Sequence, residues 1–382
     1  MSKTKIAIIQ THPIQHFCPQ FASYSKLDNV DLDVIFETNK GLESYFDEQF
    51  NREIKWDNID LDSFKYQFLK GNSIESVLDS LDPDIIIVYG YSQLVQKNAY
   101  NWALKFGKKI FYVSDSTSHR KQNPVIYKVK KTKFKPYFKA IDICLSVGDS
   151  NESVYRGYGV PDYKMVRTFF PIDTVIADEK YSKKAELNAL IRAKYNISKD
   201  TLVISTIGKI EIFKRQEDLI ALLSDLESIG IKAHAFICGS GKALEFLQQE
   251  AKKLKSNTVT FTGFVKPIEL LDILCASDLY VHPSSREAHS LSITEAIYFG
   301  CPVILSDACG SYGPTDDIRP GKNGFVYPVG DIIALTTRVK QLFENPKLMS
   351  EFSKASVEIG RYTQKLAHGE ALQSAINLVK GR

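Results

Sequence analysis

Short, almost wholly apolar runs alternate with amphipathic stretches along this chain, and the alternation breaks off near the middle and starts again. Lys5–Gln10 reads as a strand closed by Thr11, His12 and Pro13, and Ile14–Leu27 as a helix whose start is limited by Pro19. Asp31–Phe36 is the next strand. Residues 37–72 are rich in aromatic and charged side chains without a clean period, which predicts loops and an irregular hairpin. Ile74–Leu81 reads as a short helix, Asp84–Tyr89 as a strand buried on both faces, Gln93–Phe106 as a helix and Lys109–Val113 as a strand. Ile141–Val147 follows as a strand, and a helix after it stops at a glycine.

The second series opens with the strand Thr201–Ile207, a loop, and the amphipathic helix Glu217–Ile229. Strand Ala233–Cys238, the turn Gly239–Lys242, helix Ala243–Leu254, strand Val259–Phe261 and helix Pro267–Cys275 come next. Asp278–Pro283 is a strand, 284–290 a polar loop, and Ile293–Phe299 a helix that stops at Gly300 with Pro302 beyond it. Val303–Leu305 returns as a buried strand. Two such series predict two doubly wound α/β domains. The mixed, polar segment Phe170–Lys184 is the expected hinge, and Glu370–Val379 is a last helix with no strand after it.

Composition changes this picture little. A chain of 382 residues with 44% hydrophobic and 25% charged side chains suits two ordinary globular domains. No stretch approaches the roughly 18 apolar residues of a membrane span, and the first apolar run is too short for a signal peptide. A cytoplasmic chain is expected. The six cysteines form no CxxC pair and lie mostly in apolar runs, as reduced core thiols do. A net charge of +4 does not point to nucleic acid.

Glu287 in the 284–290 loop and Glu295, eight residues on, are the first candidates for chemistry. Ligands of open α/β sheets bind where strands end and helices begin, which puts Glu287 in reach of one. Ser292 through Glu295 also fits a capping box, so a structural role for Glu295 stands beside a functional one. Lys209 and Lys214 follow the first strand of the second series, where phosphates meet point charges, although basic loops are common in this chain. Gly239-Ser240-Gly241-Lys242 lacks the spacing of a P-loop or a dinucleotide fingerprint and reads as a tight turn. The triplets Asp31–Asp33, Asp60–Asp62 and Asp82–Asp84 read as turn acids, so no metal is expected. In the first half, His12 and His16 flank the end of the first strand, and Asp115, Ser116 and His119 follow Lys109–Val113. The basic, aromatic-interleaved stretch Lys121–Lys139 suits an anionic membrane face, a charged acceptor or a plainly solvated helix or loop.

Taken jointly, these residues resemble a known family. Gly208-Lys209 with Lys214, Cys238-Gly239-Ser240-Gly241, Phe261 through Val265, Glu287 with Glu295-Ala296, Gly300 through Val303, and Asn323 through Val326 recur in order in the donor domain of glycosyltransferase family 4. The first half shares the strand–helix rhythm and the Thr11-His12-Pro13-Ile14-Gln15 opening, which looks like that of bacterial polysaccharide-assembly members. The resemblance implies a GT-B fold: two Rossmann-like domains facing a cleft, with 1–172 on the acceptor side, 173–365 holding a nucleotide-sugar donor, and 366–382 packing back on the first domain. It implies a retaining, metal-independent glycosyltransferase with no cofactor beyond the nucleotide sugar. The acceptor would be a glycan or lipid-linked acceptor in surface polysaccharide or glycoconjugate synthesis, with peripheral membrane contact through Lys121–Lys139.

By the same resemblance, Lys214 binds the donor diphosphate and Lys209 stands where an arginine is usual. Glu287 contacts the transferred sugar, Glu295 the ribose, and Phe264 and Val265 the base. His289, Ser290 and Leu291 wrap the phosphates through their amides, with Ser290 in place of a common glycine, and Gly241 lies beside the donor. His12, His16, Asp115, Ser116 and His119 face the acceptor, where many members have a glycine-rich loop and a single histidine. Transfer to a small soluble metabolite and a non-catalytic, nucleotide-binding partner subunit are the alternatives.

Overall fold

Continuous apolar strands need cover on both faces, and in the computed structural model they lie in two parallel sheets. The structure describes residues 3–42, 45–47, 52–54, 59–118 and 124–381, with backbone alone at 45–47, 52–54 and 124–127. The chain divides into two compact units: Met1–Asp173 with Thr363–Arg382, and Thr174–Tyr362.

The first unit contains β1 (Thr4–Gln10), β2 (Val30–Phe36), the small antiparallel pair β3 (Tyr45–Asp47) and β4 (Arg52–Ile54), and β5 (Tyr66–Phe68). It continues with β6 (Ile85–Tyr89), β7 (Lys109–Ser114), β8 (Ile143–Ser146) and β9 (Met165–Arg167). Seven of these form one parallel sheet in the order β5-β2-β1-β6-β7-β8-β9. Alternation along β1 sends Ile6 and Ile8 to one face and Ala7 and Ile9 to the other. Helix Cys18–Ser25 covers the first face together with the last helix, Ala371–Lys380, which buries Leu372, Ala375, Ile376 and Val379 there. Gln364 fastens the return of the chain, accepting from Ile172 N at 2.9 Å and donating to Phe170 O at 2.9 Å.

The second unit contains β10 (Leu202–Ile207), β11 (Ala233–Cys238), β12 (Thr258–Gly263), β13 (Leu279–His282), β14 (Val303–Ser306) and β15 (Gly324–Tyr327). They form a parallel sheet in the order β12-β11-β10-β13-β14-β15. β10 pairs on one side with β11 and on the other with β13, Ile204 opposite Leu279 and Ser205 opposite Tyr280. The strand order therefore reverses between β10 and β13, and such a reversal opens a crevice beyond the carboxyl ends of both strands.

Two expectations change. The mixed segment expected as a hinge does hold the boundary between the units, after Asp173, but from Thr174 on it is helical, with helices Thr174–Ser182 and Lys184–Lys194. Much of their contact with the rest of the second unit is polar: Lys180 pairs with Asp272 at 2.7 Å, Asn188 donates to Cys275 O, and Arg192 pairs with Asp278 at 2.8 Å. An apolar stripe is thus missing from the sequence although the helices are docked. The acidic triplets are not all turn residues, because Asp31 and Asp33 lie inside β2, where Asp31 pairs with Lys65 at 2.7 Å. Asp82 does end the helix Ile74–Leu81, and Asp60 accepts from Asp62 N within its turn. The basic stretch is a helix from Pro124 to Ala140, with Phe134, Tyr137 and Phe138 turned to the core and Lys128, Lys130, Lys131, Lys133, Lys135 and Lys139 exposed. Among the described residues all six cysteines are free and buried, and no helix is long and apolar enough to cross a membrane.

The turn after β11 shows why glycine is required there. A Cβ on Gly239 would stand 1.9 Å from Gly208 O, and one on Gly241 2.2 Å from Ile210 O, at φ of +142° and +158°. The turn packs backbone to backbone against the β10 loop, with Ile210 N donating to Ser240 O at 2.9 Å. Gly239→Ala is expected to destabilise the second unit by at least about 1–3 kcal/mol, read as a lowered midpoint in denaturant unfolding. An unchanged midpoint refutes the close approach.

Candidate functional site

Two loops meet at the reversal between β10 and β13. The first leaves β10, makes a single 3-10 turn at Ile212–Lys214, and ends with Arg215 in the left-handed region at φ +54°. Asp218 holds that strained residue through two hydrogen bonds, at 2.6 and 3.0 Å. The second loop leaves β13 at His282. Ser285 ties the two together, donating to Phe213 O from its amide at 2.7 Å and its hydroxyl at 2.9 Å. Glu287 is bracketed by backbone bonds, its N–H donating to Ala308 O and its carbonyl accepting from Gly310 N. The main chain on both sides of the Lys214–Glu287 contact is thus held in place, and only the two side chains span the gap.

Lys214 Nζ forms an ion pair with Glu287 Oε2, both side chains being less than a fifth exposed. The same oxygen lies 3.4 Å from His282 Nε2. Burial alone would raise the Glu287 carboxyl, but the hydrogen bond from His282 and the charge of Lys214 outweigh it and hold the group below the ordinary glutamate value. Burial lowers the His282 ring against the upward pull of Glu287, which favours a neutral imidazole. Lys209 belongs to the same loop as Lys214, and its carbonyl accepts from Gln216 Nε2 at 2.9 Å.

Glu295 takes a different environment. The helix runs from Leu291 to Tyr298 with Ser290 as its N-cap residue, so Ser292 lies inside the helix and the capping-box reading is overturned. The Ser292 hydroxyl accepts instead from Tyr280 OH at 2.7 Å and donates to Ile207 O at 3.3 Å. Among the described residues no hydrogen bond or ion pair reaches the Glu295 carboxylate. Burial pushes that carboxyl up to about 7.

The other residues singled out from sequence fall as follows. Ser290 N donates to Ser311 Oγ at 2.9 Å, so this amide of the 289–291 loop is engaged within the chain. The His289 side chain turns inward to Asp317 at 3.0 Å, and Thr294 Oγ1 donates to the same carboxylate oxygen at 2.7 Å. Phe264 and Val265 are half-buried just beyond β12, on the far side of β11 from Lys214. Gly241 serves the close packing of the turn. In the first unit, His12 hydrogen-bonds Thr11 Oγ1, and burial lowers its ring with help from Lys40. Burial brings His16 down to about 4, with its ring against Phe17 and Phe170. Asp115 and Ser116 leave β7 at its carboxyl end, where Asn151 Nδ2 donates to Ser116 O at 3.0 Å. No hydrogen bond or ion pair among the described residues joins this pair to either histidine, and His119 lies outside those residues.

Sequence reasoning passed over His282 and Tyr280, although a histidine closing a strand beside the crevice is a positional signal. It also missed one group able to hold a metal ion by geometry. His289, Asp316 and Asp317 are all buried, with one donor atom each within 4.8 Å of the others. The His289–Asp317 and Thr294–Asp317 hydrogen bonds already use one of those oxygens.

Comparison with known proteins bears on this site. Residues 188–358, which include Lys209, Lys214, Gly241, Phe264, Val265, His282, Glu287 and Glu295, match the family of glycosyl transferases group 1. Among curated relatives, the sulfoquinovosyl transferase SQD2 of Arabidopsis thaliana is 29% identical over 152 residues, 40% of this chain and 28% of that protein. The poly(ribitol-phosphate) alpha-N-acetylglucosaminyltransferase of Staphylococcus aureus is 31% identical over 151 residues, 39% of this chain and 29% of that protein. The chain spans less than half the length of the relatives it matches first. Among solved structures, Anabaena HepE in complex with UDP aligns over 99% of this chain and 100% of its own, with a TM-score of 0.71 at 15% identity. The two Rossmann-like units have the GT-B fold.

The unpaired Glu295 carboxyl makes a pH-dependent prediction. Its pKa is raised by folding, so the stability linked to it is complete below about pH 4.5 and is lost as pH rises through about 7. Thermal unfolding without nucleotide is expected to show Glu295→Gln gaining on the wild type from pH 5 to pH 8. A difference that is flat or reversed over that range would place a cation beside the carboxylate.

Proposed function

We propose that this chain, whose residues 188–358 match the glycosyl transferases group 1, is a retaining, metal-independent glycosyltransferase that uses a nucleotide-sugar donor. The observation that carries the reading is the meeting of Lys214 and Glu287 at the strand-order reversal of the second sheet. A nucleotide sugar needs a cation for its diphosphate, acceptors for its sugar hydroxyls and an acceptor for its ribose diol. Lys214 with Lys209, Glu287 and Glu295 supply these three in turn. The unpaired state of the Glu295 carboxyl supports its share, because a half-buried carboxylate without a partner is satisfied by donors that a ribose would bring.

The chemistry is electrostatic. As the bond from the anomeric carbon to the β-phosphate oxygen breaks, negative charge grows on the diphosphate, and Lys214 and Lys209 stabilise it there. The acceptor hydroxyl bonds to the same face of the anomeric carbon, and its proton passes to the departing phosphate oxygen. Glu287 orients the sugar and takes no proton in this scheme, in keeping with a carboxyl held below its ordinary value. Lysines meet the leaving group's charge, so a metal has no assigned part.

The first unit is the acceptor side in this reading, with His12, His16, Asp115 and Ser116 at carboxyl ends of its strands. The acceptor is a glycan or lipid-linked intermediate of surface polysaccharide or glycoconjugate assembly. The poly(ribitol-phosphate) transferase among the relatives and the lysine-rich outer face of helix Pro124–Ala140, suited to an anionic lipid headgroup layer, support that choice.

A panel of UDP-, GDP- and ADP-sugars tested for thermal stabilisation in EDTA checks the donor. One of them at a hundred times its dissociation constant should add about 2.7 kcal/mol, and Glu287→Ala should lose more of the response to the sugar nucleotide than to the bare nucleotide. Lys214→Ala should cut kcat on the order of a hundredfold or more. A wild type that none of the panel stabilises would sink the reading. For the membrane face, sedimentation with phosphatidylglycerol vesicles is expected to bring down the wild type at low salt. Charge reversal at Lys128, Lys131 and Lys135 should leave it in solution, and equal partition of both proteins would discard this role.

A further inference from the structure

We infer that His282 is a positioning residue that takes over the Glu287 carboxylate when Lys214 turns to the donor diphosphate. The inference rests on the proposed function and deepens it, because that reading contains a conflict it does not resolve. Lys214 and Glu287 are assigned to different parts of the donor, yet in the structure they bind each other. A lysine closed on a carboxylate has little charge to offer a phosphate. A carboxylate deserted by its lysine, in a site this enclosed, is left as a costly unpaired charge. Donor binding therefore requires a second partner for Glu287.

His282 meets that requirement in position, in chemistry and in rigidity. Its Nε2 lies 3.4 Å from the same Oε2 that Lys214 binds, a long contact while the lysine is the nearer partner and short enough to tighten once it leaves. The other ring nitrogen, Nδ1, is buried and has no hydrogen-bond partner among the described residues. The ring thus has one polar outlet. A lone pair on Nε2 would oppose the carboxylate lone pairs, so the neutral ring carries its proton on Nε2 and donates it to Glu287.

The ring has little freedom to do otherwise. His282 is the last residue of β13, paired with Leu305 of β14 and followed by Pro283. Its ring stacks on Tyr280 at a centroid distance of 6.2 Å and an interplanar angle of 19°. Tyr280 is anchored in turn by its hydroxyl to Ser292 Oγ at 2.7 Å and to Ile207 N at 3.2 Å. An apolar residue would fill the same place without leaving a buried nitrogen unsatisfied, so packing alone does not account for a histidine here. With Oε2 held by His282, Glu287 Oε1 remains for a sugar hydroxyl.

The test is a double-mutant cycle on the full chain, read by calorimetric titration with UDP, GDP and ADP. His282→Phe, His282→Gln and His282→Asn are each made alone and with Glu287→Gln, and thermal unfolding checks that each variant folds. Glutamine places its amide nitrogen near the position of the histidine Nε2, whereas asparagine falls short of it. His282→Phe and His282→Asn are expected to weaken the nucleoside diphosphate that binds by about tenfold or more, as for a hydrogen bond to a charged group. His282→Gln should stay within about threefold of the wild type. In the Glu287→Gln background, where no charge is stranded, all three should have the same affinity. Equal losses in both backgrounds would reduce His282 to packing and overturn the inference, as would no loss in either. If His282→Phe does not fold, the contrast between glutamine and asparagine decides alone, and equal behaviour of the two overturns it. A wild type that binds none of the three nucleotides removes the proposed function itself, a result distinct from a wild type that binds and variants that do not differ.

Discussion

The pairing of β10 with β13 is the constraint from which the site follows. The two strands are far apart in sequence and adjacent in the sheet, and Asp278 helps to lock their starts together by accepting from Val203 N and from Arg192. Because the strand order reverses there, the loops that leave them diverge above a shared opening instead of being roofed by a helix. Lys214 comes from one loop and Glu287 from the other. Neither loop holds its charged residue alone: Phe213 and Ser285 tie them to each other, and the glycine turn after β11 supports the first from its far side. The arrangement is therefore a property of the sheet edge as a whole.

Much of this was legible in the sequence, for reasons that can be named. The strands are continuous apolar runs with turn residues at their ends, and burial on both faces leaves little else for such runs to be. Lys214 and Glu287 were found because each lies just beyond such a run. Glu295 was only half legible. The local spelling Ser292 to Glu295 suits a helix start, but the helix begins earlier, because Leu291 already has helical geometry and Ser292 is drawn away by Tyr280 and Ile207. A contact from another strand overrode the local signal.

The features that were not legible are those made by distant polar contacts. The helices Thr174–Ser182 and Lys184–Lys194 dock largely through ion pairs and amide bonds, so their sequences lack the apolar period by which a buried face is recognised. His282 is silent for a related reason. Its partners, Tyr280 and Glu287, are both close in sequence, but only the turn of the chain after β13 brings the carboxylate back toward the ring. In the first unit the same blindness applied to Asp31 and Asp33, acids on a strand whose charge is met by a lysine from a later segment.

The last helix has a consequence for how the protein is made. Leu372, Ala375, Ile376 and Val379 belong to the core under β1 and β2, yet they leave the ribosome after the whole of the second unit has been synthesised. The second unit is one unbroken stretch and can close on itself as soon as it emerges. The first unit waits with an apolar face of its sheet incompletely covered, through the translation of the entire domain that follows it. Such a wait exposes apolar surface to other chains, and the order of synthesis thus makes the first unit dependent on residues translated after the second.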